Sequence, residues 1–528
     1  MTLEERASVR LQVVARSAFT LTGGAVAVQF LSVIRELFLA AKVGATADLD
    51  AVLIALVLPA TLAGVITSGI VRALVPAYLE TAEIGGREEA RRLSGSLIIW
   101  VGVAGLTLSV VLSAFASTFV AITGPGLSEA GRESAIGYLR ILAPVAFLTT
   151  ISAVLSAISQ AEARFAAIAI AGLSGTATAL GTMLLLWQAL GLDGLVIGTV
   201  LGSIVTPAVL LGSAAHGRFL PVPGIRRDAQ INGLLRHAAP LTLSAAILQI
   251  NVIGDRAITS LIGPGAVSIL RYADVLVRVP IGAIGPAWGS ALYPALVRST
   301  FGSVAGGLAA TSERAMHYVL AVFVPIAVLT AAVAPLAVSI AYGRGAFSPE
   351  DIIITATAVA GFAPLLVVLM LGPIMTGAHN ARRRGTLLLI GGMLNVTINI
   401  TMDVLLGTWL GVAGIALASS VAETTVLVFF IYRLSRFGDF FELRPLVRKA
   451  LLALVASAPV AVVVATLAWT GHMPHDTGPA ILALVAVGLL GTGGYLVIAI
   501  RLGMEEPRAI LRSLSGPVIA RIHRDPPP

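Results

Sequence analysis

The amino-acid sequence predicts an all-α, polytopic membrane protein of about 14 transmembrane helices. Three observations carry that prediction. Hydrophobic residues make up 57% of the 528-residue chain and charged residues only 12%, far from the balance of a soluble globular protein. Apolar stretches of roughly 20 residues or more recur almost end to end, long enough at 1.5 Å per residue to cross a hydrocarbon core of roughly 30 Å. Basic residues alternate between successive connections, as expected for a chain threaded back and forth through a bilayer.

Taken in order, the spans centre near residues 27, 62, 107, 149, 176, 203, 247, 280, 328, 364, 393, 421, 458 and 490, with breaks rich in Gly, Pro, Asp, Glu and Arg. Glu4 and Glu5 precede the first span with no short apolar core ending in a cleavage site, unlike a removable signal peptide. The N-terminus carries Arg6, Arg10 and Arg16. The connections after spans two, four and six carry Arg87, Arg91 and Arg92, then Arg164, then Arg218, Arg226, Arg227 and Arg236. Those after spans eight, ten and twelve carry Arg298 and Arg314, then Arg382 to Arg384, then Arg433 through Lys449. With the C-terminal tail this side holds 26 of the 35 basic residues, whereas the odd-numbered connections hold four: Lys42, Arg132, Arg256 and Arg344. The positive-inside rule then places both termini in the cytoplasm, and the even span count agrees. Spans one to six form an N-terminal lobe (1–220), seven to twelve a C-terminal lobe (221–437) and thirteen and fourteen an addition (438–504). Residues 505–528 form a basic cytoplasmic tail whose Arg, Ile, Leu and Val pattern reads as an amphipathic segment on the inner surface.

The two lobes are related by an internal repeat. Residues 35–78 hold a Gly44 break, Leu58-Pro59 and Ala73-Leu74-Val75-Pro76-Ala77-Tyr78; about 220 residues later come a Gly263 break, Val279-Pro280 and Ala291-Leu292-Tyr293-Pro294-Ala295-Leu296. An even number of spans separates the copies, so they share an orientation, and a pseudo-two-fold axis along the membrane normal with a central cavity between the lobes is expected.

Several function classes are excluded or weakened. There is no cysteine, hence no disulfide or thiolate site, and the seven histidines show no ligand spacing. The pI near 10.3 does not indicate nucleic-acid binding, because the basic residues sit in short clusters between spans. Only two lysines occur and neither lies in a phosphate-cradling Gly-Lys-Ser/Thr loop, so ATP is not the direct fuel. Asp48-Leu49-Asp50 has the two-acid spacing of a metal-dependent glycosyltransferase, but it lies in a short connection without a soluble domain. No metal, catalytic residue or organic cofactor is expected.

The candidate binding residues are ionisable groups at membrane depth, which persist only when they face a cavity or a partner. Arg35 and Glu36 lie near the end of span one, Arg72 in span two, and Arg271, Asp274 and Arg278 in span eight, all within the repeat copies. Arg271, Asp274 and Arg278 follow i, i+3, i+7 and so share a helical face, on which the acid can hold two guanidinium groups forked toward a cavity. Arginine suits bidentate binding of diphosphate oxygens; the bland alternative is internal salt bridges or snorkelling side chains. Ten prolines fall within the spans, among them Pro59, Pro144, Pro207, Pro335 and Pro364, and suit either rocking or simple bending. Ser348-Pro349-Glu350-Asp351 reads as a helix start. Asp274, Asp403 and Glu423 are candidates to carry a coupling Na⁺ or H⁺.

These residues resemble the MurJ/MviN-type lipid II flippases of the multidrug/oligosaccharidyl-lipid/polysaccharide exporter superfamily over roughly residues 15–435. The resemblance is carried by Arg35-Glu36, Gly44, Asp50 and Leu58-Pro59, then Tyr272-Ala273-Asp274, Tyr342-Gly343-Arg344-Gly345-Ala346-Phe347-Ser348, and Gly411 to Ala418. It implies a flippase that exports an undecaprenyl-diphosphate-linked peptidoglycan precursor across a bacterial cytoplasmic membrane by alternating access. It further implies that Arg35 engages the head group, that Asp50 matches a functional acid before span two, and that Ser268 matches a cavity serine. Three positions depart: Gln29, Ala63 and Val275 stand where the family has arginines, and Arg278 stands where its best-known form is acidic. Arg72, Arg271 and Arg278 are the residues that can restore the charge. The resemblance leaves as rivals a flippase of O-antigen or capsule type, a cation-coupled multidrug exporter, and a non-transporting scaffold for cell-wall synthesis. Its partners would be the lipid-linked sugar diphosphate, membrane lipids and cell-wall synthesis proteins, with no nucleic acid.

Overall fold

The computed structural model describes residues 3–224, 229–282, 307–381, 385–436, 443–471 and 477–512, and among them no strand occurs. The helices are α1 (Leu3–Lys42), α2 (Ala47–Ile84), α3 (Gly86–Ala114), α4 (Ala116–Thr123), α5 (Glu129–Leu142), α6 (Pro144–Ala161), α7 (Phe165–Leu190), α8 (Leu192–His216) and α9 (Ala229–Ser260). A helix α10 follows over 266–282. Then come α11 (Gly307–Ala332), α12 (Ala334–Tyr342), α13 (Pro349–Ala381), α14 (Gly385–Leu410), α15 (Val412–Ser435), α16 (Leu443–Trp469) and α17 (Thr477–Arg501). A last described helix, α18, covers 505–512.

Among the described residues twelve segments are long and apolar enough to cross a membrane, and each contains one of the centres expected from the sequence. The two expected spans outside this set are the seventh and eighth. Helix α9 is 32 residues long, ample for a crossing. Helix α10 runs to the edge of the described residues. Side chains such as Leu185 and Trp409, 85% and 87% exposed, show what the surface is built for: in water they would be a liability, in lipid they are solvated. The chain is a multi-pass membrane protein.

Prolines shape the spans in two ways. Pro59, Pro207, Pro325 and Pro364 lie inside helices, where each removes a backbone donor. Pro144 and Pro335 instead occupy a first turn, dividing span four into α5 and α6 and ending span nine in the short α12. The expected start at Ser348 is present: the Asp351 amide donates to Ser348 Oγ at 3.1 Å and the Ser348 amide donates to Asp351 Oδ2 at 2.9 Å, a reciprocal cap.

Cα packing divides the chain into residues Met1–Ser268 and Ile269–Pro528. In the first unit α2 packs on α3, α5, α6 and α9, and Gly69 lets α2 approach α9 so closely that a Cβ there would strike Thr242 Oγ1 and the Ala238 carbonyl. After α8, Arg91 Nε donates to the Leu220 carbonyl at 2.7 Å and the Val222 amide donates to the Arg91 carbonyl at 2.9 Å, pinning the exiting segment to α3. In the second unit a core built on Met316, Phe323, Ile374, Met375 and Leu434 joins α11, α13 and α15. The two repeat copies share one local device: a helix ends, the chain turns through glycine at positive φ, and a long helix follows. Gly44 has φ +71°, Gly263 φ +154° and Gly265 φ +82°. The Ala291–Leu296 part of the second copy, with Pro286, Arg226, Arg227, Arg298, Arg382 to Arg384 and the tail beyond 512, lies outside the described residues.

Candidate functional site

Asp50 occupies the first turn of α2, behind the N-cap Thr46, and is 2% exposed. A carboxylate so placed must be satisfied, and it is: the Gly265 amide donates to Oδ2 and the Ser268 amide to Oδ1, each at 2.7 Å. These are the otherwise orphaned donors at the N-terminus of α10, so Asp50 caps a helix that begins more than 200 residues further along. Ser268 is fully buried and its hydroxyl donates to the Gly265 carbonyl at 2.9 Å, closing the same turn. Gly265 has no room for a side chain, since a Cβ would lie 2.5 Å from the Ala45 carbonyl oxygen. Nearby, the Gly126 amide donates to Ser260 Oγ at 3.0 Å. Two of the expected binding residues, Asp50 and Ser268, are thus brought together as parts of one latch. Asp48 is exposed while Asp50 is buried, so the two-acid spacing does not make a shared site.

Arg35 Nη2 lies 3.0 Å from Glu36 Oε1, the glutamate being almost fully buried and the arginine partly exposed. The pair keeps a cation at membrane depth at reduced cost, because the carboxylate offsets the charge on one side and leaves the rest of the guanidinium fork available. Arg72 is exposed on α2. These residues belong to the first unit.

In the second unit, Arg278 Nε lies 2.6 Å from Asp274 Oδ1, one arm of the expected fork. Arg271 is half-buried one turn earlier. Glu423 on α15 is hydrogen-bonded by the Asn395 side chain and lies within electrostatic range of Arg278. On α14, Asn399 Nδ2 donates to Asp403 Oδ2 at 2.9 Å, and Asn395, Asn399 and Asp403 are all buried. The i, i+4, i+8 spacing puts these three on one face of α14, the signal by which the two asparagines are readable from sequence. Val275 and Ala63, at two positions of departure, are buried, and Gln29 is half-buried. Among the described residues no group of three or more His, Cys, Asp or Glu is arranged to hold a metal ion.

Two of the sequence motifs meet in space. Tyr342 donates its hydroxyl to the Tyr272 carbonyl at 3.2 Å, with ring centroids 4.9 Å apart, and Phe347 packs edge-on against Tyr272 at 5.5 Å. This cluster fixes α10 at Tyr272, nearly two turns before Arg278, against the end of α12. The small-residue run at 411–418 also has a packing reason: a Cβ on Gly414 would collide with the Leu406 carbonyl, so α15 leaves α14 through a very tight corner.

The family described as "Lipid II flippase MurJ" matches residues 39–486. The chain is 23% identical to the probable lipid II flippase MurJ of Thermotoga maritima over 485 residues, 91% of this chain and 94% of the relative. It is 25% identical to the probable lipid II flippase MurJ of Rhizobium meliloti over 501 residues, 92% and 93% of the two chains. Its fold is similar to that of a lipid II flippase MurJ solved in an inward closed conformation, with a TM-score of 0.75 at 19% identity over 91% of this chain and 97% of that one. It is also similar to a multidrug resistance MATE family transporter of the MOP superfamily in an inward-facing conformation, with a TM-score of 0.64 at 16% identity over 80% and 96%. The match over most of its length, together with the helical architecture, shows that this chain belongs to the lipid II flippase MurJ family.

Proposed function

We propose that this chain flips lipid II, an undecaprenyl-diphosphate-linked peptidoglycan precursor, across a bacterial inner membrane by alternating access. The family match over residues 39–486 carries the reading. The chemistry of the spans supports it: Arg35, Arg72, Arg271 and Arg278 offer guanidinium groups to the diphosphate and sugar-peptide head group, and the isoprenoid tail stays in lipid. Both termini lie in the cytoplasm, on the side of the arginine-rich connections. Because the head group is anionic, an inside-negative potential favours its outward movement by about 2.3 kcal/mol per charge per 100 mV, without nucleotide hydrolysis. The Asp50 latch holds the outward end of the pathway shut and breaks when the pathway opens there; Ser268 and Asp274 position the latch and Arg278. Asp403, braced by Asn399, and Glu423, braced by Asn395, are the candidate carriers of a coupling Na⁺ or H⁺. Enzymes that consume lipid II at the outer surface are the expected protein partners.

A second reading, export of another polyprenyl-diphosphate-linked glycan, is favoured by Gln29, Ala63 and Val275, which leave a different cation pattern from that of the family. The test that separates them is complementation in a bacterium depleted of its own lipid II flippase, with lipid II accessibility on the outer leaflet as the readout. Rescue supports lipid II; a correctly inserted protein without rescue transfers the assignment to another glycan.

A further inference from the structure

Helix α18 does not trail from the bundle but folds back against it. Met504, 1% exposed, joins the core cluster that contains Met316 and Leu446, and Lys449 Nζ donates to the buried Glu506, tying α18 to α16. His317 of α11 stands 3.8 Å from the same carboxylate. The fold-back leaves a cleft between α11, the start of α16 and α18, on the face that carries the basic connections. Its charged lining is Arg314, Arg444, Arg448 and Lys449 against Glu505 and Glu506, and since Lys449 and Glu506 pair with each other, three guanidinium groups face one exposed carboxylate. Arg444 and Arg448 also line a groove with Leu443, Val447, Leu451 and Val455, whose side chains are 45% to 58% exposed and follow one face of α16.

We propose that this cleft and groove bind an anionic diacyl phospholipid of the inner leaflet, with its phosphate on Arg314, Arg444 and Arg448 and an acyl chain along the apolar face of α16. Three features point to this ligand. The charge is complementary to a phosphate, and arginine pairs with phosphate oxygens two at a time. The cationic cleft opens directly into an apolar groove, so the site has two chemically different ends, as a phospholipid does. From Arg444 to Val455 is 11 residues, about 16 Å of helix at 1.5 Å per residue, which matches half of a hydrocarbon core of roughly 30 Å. The bound lipid would clamp α18 onto α11 and α16 and make the C-terminal end of the chain sensitive to the composition of the leaflet. The inference rests on the cytoplasmic placement of this face but not on the identity of the transported lipid.

The test is native mass spectrometry of the purified full-length protein titrated with phosphatidylglycerol or phosphatidylcholine. The parent protein should retain one phosphatidylglycerol in preference to phosphatidylcholine, and R444Q/R448Q should weaken that retention about tenfold or more, at roughly a fivefold loss per arginine. Leu451→Gln, which touches only the apolar end, should weaken it too. Glycerophosphoglycerol, the head group without chains, should not compete. Equal retention by parent and R444Q/R448Q would overturn the proposal. So would an equal loss on R92Q, an exposed arginine of α3 on the same membrane side, since that would mean diffuse attraction. Displacement by a polyprenyl diphosphate at equal concentration would assign the cleft to the substrate instead. A protein that binds phosphatidylglycerol in this way and moves no lipid II would leave the inference standing while the proposed function fell.

Discussion

The latch at Asp50 gives a prediction whose size follows from the geometry. Its carboxylate accepts two amide hydrogen bonds of 2.7 Å from the first turn of α10. Hydrogen bonds to a charged group are worth about 1.5–3 kcal/mol each, so Asp50→Ala removes at least about 3 kcal/mol from the latched state. At 1.4 kcal/mol per tenfold change, the population with the latch open rises by about 100-fold. Asp50→Asn keeps one oxygen acceptor and loses the charge, so a rise of about tenfold is expected. The chain contains no cysteine, which makes the measurement free of background. Ser268 is fully buried in the latched state, and a Ser268→Cys variant places a thiol there with little change of volume. Its reaction with a membrane-impermeant maleimide should be slow in that background, about tenfold faster with D50N and about 100-fold faster with D50A. Equal rates in all three would refute the reasoning, because they would mean that the α10 amides hold their position without the Asp50 carboxylate.

Two further outcomes are expected. Gly265→Ala should lower the melting temperature clearly, since φ +82° costs a side chain about 1–3 kcal/mol and the Ala45 carbonyl occupies the space; Gly64→Ala, inside α2 with nothing within 4 Å of the added carbon, should raise it slightly. A drop for Gly64→Ala as large as for Gly265→Ala would contradict this. Asp403→Asn preserves an oxygen able to accept from Asn399 and should leave folding intact while abolishing the dependence of transport on an imposed Na⁺ or pH gradient; an unchanged gradient dependence would remove Asp403 from ion coupling.

The span pattern was legible because a bilayer imposes a length and a polarity that local sequence must satisfy. Helix α9, despite Gln249, Asn251, Asp255 and Arg256 within it, is helical over the full length needed for a crossing. The capping sequence at Ser348 was legible because both partners, Ser348 and Asp351, lie within one turn. Asp50 was marked by the sequence as a candidate, but not as a helix cap, because the amides it satisfies lie 215 and 218 residues away. Likewise the meeting of Tyr272 with Tyr342 and Phe347 is a tertiary contact between motifs 70 or more residues apart, and nothing in either motif names the other. Asn395 and Asn399 were overlooked beside Asp403 and Glu423, although helical spacing alone relates 395, 399 and 403. Pro144 and Pro335 were expected inside spans, where they would bend a helix; the structure starts new helices there, a choice made by packing that local propensity does not settle.

The most direct test of the account is reconstitution. Purified protein in vesicles containing fluorescent lipid II, with an inside-negative potential and a membrane-impermeant quencher outside, should show outward movement well above that of protein-free vesicles. That movement should increase with the potential and be lost in Arg35→Gln and Arg278→Gln variants that remain folded. Movement of lipid II no faster than in protein-free vesicles, with the protein folded and inserted, would contradict the account.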